Sequence, residues 1–182
     1  MDKNIYLDHN ATSPLLPEAK TAMSNVAEKS LGNPSSPHWA GREAKILLEE
    51  ARDTLAKSLG AKPSEIIFTS GGSESNNAVL RQLSLTSKKQ HLITSKIEHP
   101  SVLETCRILS RIPNISITEL PVDSSGLIDP ESLKKVIGHQ TSLISLMTAN
   151  NENGCLQPIE EFSLIAREHE IAFHTDMVQA SG

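Results

Sequence analysis

Apolar residues recur along the chain at two spacings, and the way these alternate predicts the fold class. Over residues 42–59, Ala44, Leu47, Leu48, Ala51, Leu55 and Leu59 fall on one helical face, and Gly60 follows as a stop. Five short β-rich runs lie further on, at 66–69, 91–94, 115–122, 143–149 and 171–176. Helix signals separate them. Residues 74–83 follow Ser73, Pro100 opens a helix through Leu109, and Asp129-Pro130-Glu131 caps one that ends before Gly138. Pro158 opens another through Arg167, and Pro17-Glu18-Ala19 favours a short helix near the start. Residues 31–40 read as a loop, because Gly32, Pro34, Ser35, Ser36 and Pro37 oppose regular structure. Strands alternating with helices predict an α/β fold with a mostly parallel sheet. Ligands of such sheets bind at the carboxyl ends of the strands, so the residues just after each strand carry the functional interest.

Composition narrows the function without naming it. The 182 residues fit one domain, with 37% hydrophobic and 21% charged residues, as in a soluble globular chain rather than a disordered one. A formal net charge of −5 lacks the basic excess that a nucleic-acid surface needs. No apolar run approaches the roughly 20 residues of a membrane span. The start, Met1-Asp2-Lys3-Asn4, has no signal pattern, and a cytoplasmic location is the expectation. Cys106 and Cys155 make no disulfide framework and read as ordinary small, buried residues.

The strand ends carry the candidate chemistry. Thr69-Ser70-Gly71-Gly72-Ser73-Glu74-Ser75-Asn76-Asn77 puts two glycines and a hydroxyl at a helix start. This suits an anion cradle, in which free N–H groups and the helix dipole meet a phosphate; a plain turn with Ser73 as N-cap is the alternative. Neither GxGxxG nor a P-loop lysine is present. His99, in Lys96-Ile97-Glu98-His99-Pro100, stands just ahead of a helix, as a functional residue or as a cap. Asn150-Asn151-Glu152-Asn153-Gly154 gathers amides in a tight turn. Asp176 ends an apolar strand and needs a positive or hydrogen-bonding partner there. A protonated ring nitrogen of a bound heterocycle would serve. A metal shared with His174 fits less well, since no further His or Cys cluster completes a site.

Taken together, these places resemble the cysteine desulfurases, in the class V aminotransferase group of fold-type-I pyridoxal phosphate enzymes. The matching segments are Tyr6-Leu7-Asp8-His9-Asn10-Ala11-Thr12, Gly32-Asn33-Pro34-Ser35-Ser36 and Gly41-Arg42-Glu43-Ala44. They continue with Phe68 through Asn77, Glu98-His99, Asn150-Asn151-Glu152, and His174-Thr175-Asp176 with Gln179, in family order over the whole chain. The resemblance implies a three-layer αβα large domain over residues 15–182, incomplete at its C-terminal strands, with residues 1–14 belonging to the small domain and the active-site edge. It implies pyridoxal 5'-phosphate as cofactor and no metal. Gly72 and Ser73 would contact the phosphate, and His99 would stack on the ring and take part in proton transfer. Asn151 and Gln179 would approach the phenolic oxygen, and Asp176 would pair with the pyridinium nitrogen. Asn10, Ala11, Thr12 and Asn151 would lie near the substrate.

The implied reaction turns L-cysteine into L-alanine and passes sulfur, through an enzyme persulfide, to an iron–sulfur scaffold or another acceptor. The implied assembly is a homodimer. Selenocysteine lyase or aminotransferase activity shares the same cofactor residues, and a non-catalytic remnant or partner module is the reading of another class. The family's Schiff-base lysine sits in a Ser-Gly-His-Lys motif, which these 182 residues do not contain. The substrate-binding arginine and the sulfur-accepting cysteine of the family also have no match here. The isolated chain is therefore expected to be inactive. Met177 and Asn153 depart from the small residue and the apolar residue or threonine usual at those places.

Overall fold

A computed structural model describes residues 4–29 and 32–180. Met1 to Lys3, Leu31 of the expected loop and Gly182 lie outside the described residues. The chain divides into two compact units, Met1–Phe68 and Thr69–Gly182.

The first unit is helical. Helix α1, Pro17–Lys29, opens on its proline, carries Glu18 in the first turn and ends on Lys29, which places both charges well for the helix dipole. Helix α2, Trp39–Leu59, begins three residues earlier than the apolar pattern suggests. The cause is a cap: His38 Nδ1 accepts the Gly41 N–H at 3.4 Å. Gly60 ends α2 at φ 64°, a left-handed conformation that costs glycine little, and its N–H returns to the carbonyls of Ala56 and Lys57. The periodic face is only partly buried. Ala44 and Ala56 are buried, whereas Leu47, Leu55 and Leu59 stay exposed.

The second unit is a parallel sheet between two helical layers. Its strands are β1 (Gln90–Ser95), β2 (Ile115–Leu120), β3 (Thr141–Ser145) and β4 (Ala172–His174), in spatial order β2-β1-β3-β4. Helix α3 (Gly72–Leu80) precedes β1, α4 (Pro100–Leu109) links β1 to β2, α5 (Pro130–Val136) links β2 to β3, and α6 (Ile159–Glu168) precedes β4. Successive residues of a strand face opposite sides, and the core divides accordingly. Leu92 and Leu143 pack with Leu80, Val102, Cys106 and Leu109 of α3 and α4. Ile93 and Ile144 pack on the other side with Leu133, Phe162 and Ile165 of α5 and α6.

Strand expectations change in two ways. Residues 66–69 are not a strand of this sheet; Ile66 has an extended backbone, but Ile67 and Phe68 remain exposed and no ladder forms among the described residues. High β-propensity describes fitness for a half-buried pleated surface, and alone it does not supply a neighbour. The expected strands 143–149 and 171–176 are shorter, at Thr141–Ser145 and Ala172–His174. Beyond the ladder, Leu146 N–H and Thr148 N–H still reach the carbonyls of His174 and Asp176, at 3.1 and 2.9 Å. The apolar runs therefore continue as paired backbone that delivers Asp176 to the sheet's carboxyl edge.

Phe162 is fully buried between α6 and the sheet. Phe162→Ala is expected to cost about 3–5 kcal/mol of stability, measured as a shift in the urea midpoint with an unchanged slope.

Candidate functional site

The order β2-β1-β3-β4 places β1 and β3 at the point where the chain's connections turn from one side of the sheet to the other. A crevice opens there at the carboxyl ends of the strands. A cavity at this edge is lined by Gly72, Ser73 and Asn76 of α3, and by His99 and Ser101 at the start of α4. Met147, Ala149 and Asn151 after β3 complete it, with Asp176, Val178 and Gln179 after β4. Gly72, Ser73, His99, Asn151, Asp176 and Gln179, all expected from the sequence as cofactor residues, thus line one cavity. Asn10, Ala11 and Thr12 belong to the other unit, where Asp8 O accepts the N–H groups of Ala11 and Thr12 in a turn.

Helix α3 offers bare donors to this cavity. Its N-cap is Gly71, without a side-chain cap, so Ser73 lies inside the first turn rather than at the cap. The first N–H groups of a helix have no internal acceptor, and those of Gly72 and Ser73 therefore stay available. Glu74 turns away: its carboxylate accepts the Ser70 N–H at 2.7 Å, and hydrogen bonding to Ser70 holds its pKa below the usual range. A Cβ on Gly72 would come within 3.0 Å of Val178 Cγ2, so a side chain there would press on the turn carrying Asp176. Glycine keeps the cradle open.

Helix α4 begins differently. Pro100 has no N–H, and the Ser101 N–H is taken by His99 Nδ1 at 3.1 Å. His99 is thus both a cap and a cavity residue, and the two readings of its position are compatible. Asp176 is half-buried and finds the partners its location demands. Val178 N–H donates to Oδ1 at 3.0 Å, and Asn76 Nδ2 donates to Oδ2 at 2.8 Å.

Three further residues shape the site. Asn76, 3% exposed, also donates to Ser101 Oγ at 2.9 Å. Asn150 builds the turn that presents Asn151: its Oδ1 accepts the N–H groups of Glu152 and Asn153, and its Nδ2 donates to Ile97 O at 2.9 Å. Glu98, next in sequence to His99, is buried, with Oε1 accepting from Ser95 Oγ at 2.5 Å and from Met147 N–H at 3.1 Å. Its Oε2 has no hydrogen-bond partner among the described residues. Burial pushes the Glu98 carboxyl up to about 7; the Asp176 charge adds to this, and the bonds from Ser95 and Met147 oppose it. The sequence offered a faint signal for Asn76, one helical turn after Gly72 and therefore on the same face. Nothing local marked Glu98 as buried.

His174 donates to or accepts from Ser145 Oγ at 2.8 Å, and burial lowers its pKa while Asp176 pulls the other way. Among the described residues no group of three or more His, Cys, Asp or Glu side chains could hold a metal. Cys106 is buried, and burial, aided by the Glu119 and Glu98 charges, pushes its thiol up to about 12. Cys155 is half-buried rather than buried, with Sγ 3.8 Å from Gln157 Nε2.

The family described as Aminotransferase class-V matches residues 5–182. The chain belongs to the class-V aminotransferase family. Its curated relatives in that family include cysteine desulfurase IscS of Dictyoglomus turgidum, 50% identical over 184 residues, which covers 100% of this chain and 46% of the relative. Cysteine desulfurase IscS of Methanosarcina thermophila is 44% identical over 183 residues, covering 100% of this chain and 45% of the relative. Among solved structures, "SspA in complex with cysteine" superposes with TM-score 0.91 at 41% identity, over 96% of this chain and 51% of that one. A "NifS-like protein" superposes with TM-score 0.92 at 37% identity, over 98% of this chain and 50% of that one. The chain spans about half the length of the relatives it matches. The α/β architecture is that of the class-V aminotransferases.

The folded-state value of about 7 for Glu98 lies above the ordinary 4.5, so the folded protein holds the extra proton between those values. Its stabilising contribution is complete below about pH 4.5 and is lost as pH rises to about 7, on the order of 3 kcal/mol in all. Glu98→Gln is expected to flatten stability over that window, seen by urea unfolding at a series of pH values.

Proposed function

We propose that these residues form the N-terminal part of a pyridoxal 5'-phosphate-dependent cysteine desulfurase. The reading is carried by one observation: the free N–H groups of α3 and the Asp176 carboxylate line the same cavity. A phosphate bound at one end and a ring nitrogen at the other would use both. The donor set fits the cofactor. Gly72 and Ser73 would hold the phosphate, His99 would cover the ring, and Asn151 and Gln179 would meet its phenolic oxygen. When bound, the cofactor would supply an electron sink for negative charge developing on the substrate.

The chain's own side chains set the terms of that chemistry. Asp176, with both oxygens anchored, presents a fixed negative charge where a ring nitrogen must stay protonated. His99, capping α4 by Nδ1, keeps its ring at the cavity and is the group placed to hold or move a proton there. Gly72 excludes a side chain from the phosphate end, and Asn150 holds the Asn151 turn in place. The proposed overall reaction takes L-cysteine to L-alanine and leaves sulfur on an enzyme cysteine for an iron–sulfur scaffold or another acceptor. Residues 1–14, including Asn10, Ala11 and Thr12, are assigned to the substrate side of the site and 15–182 to the cofactor domain, with a homodimer as the working assembly.

In the full-length enzyme carrying these residues, His99→Ala is expected to lower alanine production from L-cysteine by about 10²- to 10⁴-fold. Alanine release from selenocysteine but not from cysteine would reassign the substrate within the family. The purified 182-residue chain, which contains no Ser-Gly-His-Lys motif, is expected to produce no alanine and no imine absorbance with added pyridoxal 5'-phosphate. Robust turnover by that chain would overturn the assignment of the lysine to another segment.

A further inference from the structure

Asn76 and Ser101 have no part in the chemistry above, yet they join its two principal side chains. An ionised carboxylate only accepts hydrogen bonds, so Asn76 must turn its NH₂ group, not its oxygen, toward Asp176 Oδ2 at 2.8 Å. The second hydrogen of the same Nδ2 goes to Ser101 Oγ at 2.9 Å. Ser101 Oγ then accepts from Asn76 and has its own proton to give. The atom beside it is His99 Nδ1, 2.8 Å away. The Ser101 backbone N–H donates to that same nitrogen at 3.1 Å. Two donors converge on Nδ1, which must therefore present a lone pair. A neutral imidazole whose Nδ1 accepts carries its proton on Nε2.

We propose that Asn76 and Ser101 are positioning residues that lock His99 in its Nε2–H tautomer and couple its ring to Asp176 through a directed run of hydrogen bonds. The run reads Asn76 to Asp176 in one direction, and Asn76 to Ser101 to His99 Nδ1 in the other. Nε2 becomes the ring nitrogen left to exchange a proton. The catalytic meaning of the lock rests on the cofactor reading above; the tautomer itself does not. Asn76 enforces the direction, because its amide cannot donate to Asp176 and accept from Ser101 with the same nitrogen. Without it, the Ser101 hydroxyl is free to turn its proton away from His99.

The test is long-range ¹H–¹⁵N NMR of the labelled protein, which distinguishes an accepting ring nitrogen from a protonated one. The neutral His99 ring is expected to show an accepting Nδ1 and a protonated Nε2. A predominant Nδ1–H form, or an even mixture, would overturn the lock. Ser101→Ala removes the hydroxyl donor but keeps the backbone N–H, and is expected to raise the minor Nδ1–H fraction by roughly three- to tenfold. Ser101→Thr keeps the hydroxyl and should restore the native ratio, which a purely structural role for Ser101 does not require. Asn76→Ala should shift the ratio in the same direction as Ser101→Ala. Should that buried replacement fail to fold, the two Ser101 variants decide, and an equal ratio in both would count against the proposal. Spectra are compared with and without pyridoxal 5'-phosphate. The Nε2–H pattern with no response to the cofactor upholds the lock and removes the cofactor reading; an Nδ1–H pattern with a response does the reverse.

Discussion

The site depends on a single buried carboxyl group. Glu98 reaches from the loop after β1 to the backbone after β3, accepting from Ser95 Oγ and Met147 N–H with one oxygen. Those two strands flank the reversal in strand order, where a parallel sheet has no crossing connection to close it and ligands enter. The bridge therefore ties together the two lips of the crevice. His99 is the next residue on one side, and Met147, Ala149 and Asn151 follow on the other. Burying a carboxyl group is costly, and the rise toward neutral pH is how the fold limits that cost. Where it is protonated, Glu98 also spares Asp176 a second negative charge close by.

Two helices start at the cavity, and their first turns are made differently. Helix α3 has a glycine cap and leaves the N–H groups of Gly72 and Ser73 bare, as anion binding requires. Helix α4 has a proline in its first position, and the histidine before it consumes the next donor. One start leaves its donors open to the cavity, and the other spends its polarity on orienting an imidazole. Asn76, one turn into α3, connects the two by reaching Ser101 of α4 and Asp176 of the β4 loop. Polar pairing across helices and sheet edge thus defines the cavity, while the apolar clusters hold the layers beneath it.

Much of this was legible in the residues because the signals are local. Pro100 and Pro130 mark helix starts through their missing N–H, and Asp129 caps as its side chain dictates. Gly72, His99, Asn151 and Asp176 each stand just past an apolar run, which marked them as candidates, while the family resemblance gave them their expected roles. Ile66 to Thr69 has strand chemistry without a ladder, in keeping with a resemblance that implies an incomplete sheet. What escaped was non-local. The α2 face shows perfect spacing and stays largely exposed, because spacing says which residues share a face and not what covers it. Glu98 and Asn76 are polar residues in the interior, and only the folded contacts show the partners that permit it.

The central position of β1 has a consequence for biosynthesis. Gln90 to Ser95 pairs with Ile115 to Leu120 on one edge and with Leu143 and Ile144 on the other, so both neighbours leave the ribosome after it. Leu92 and Ile93 cannot be covered on both faces until β3 and the helices around it have emerged. Gly72 is translated about a hundred residues before Asp176, which lines the same cavity. The cavity therefore stays half-built until the segment after β4 has emerged, and nothing that needs both of its sides can bind before then.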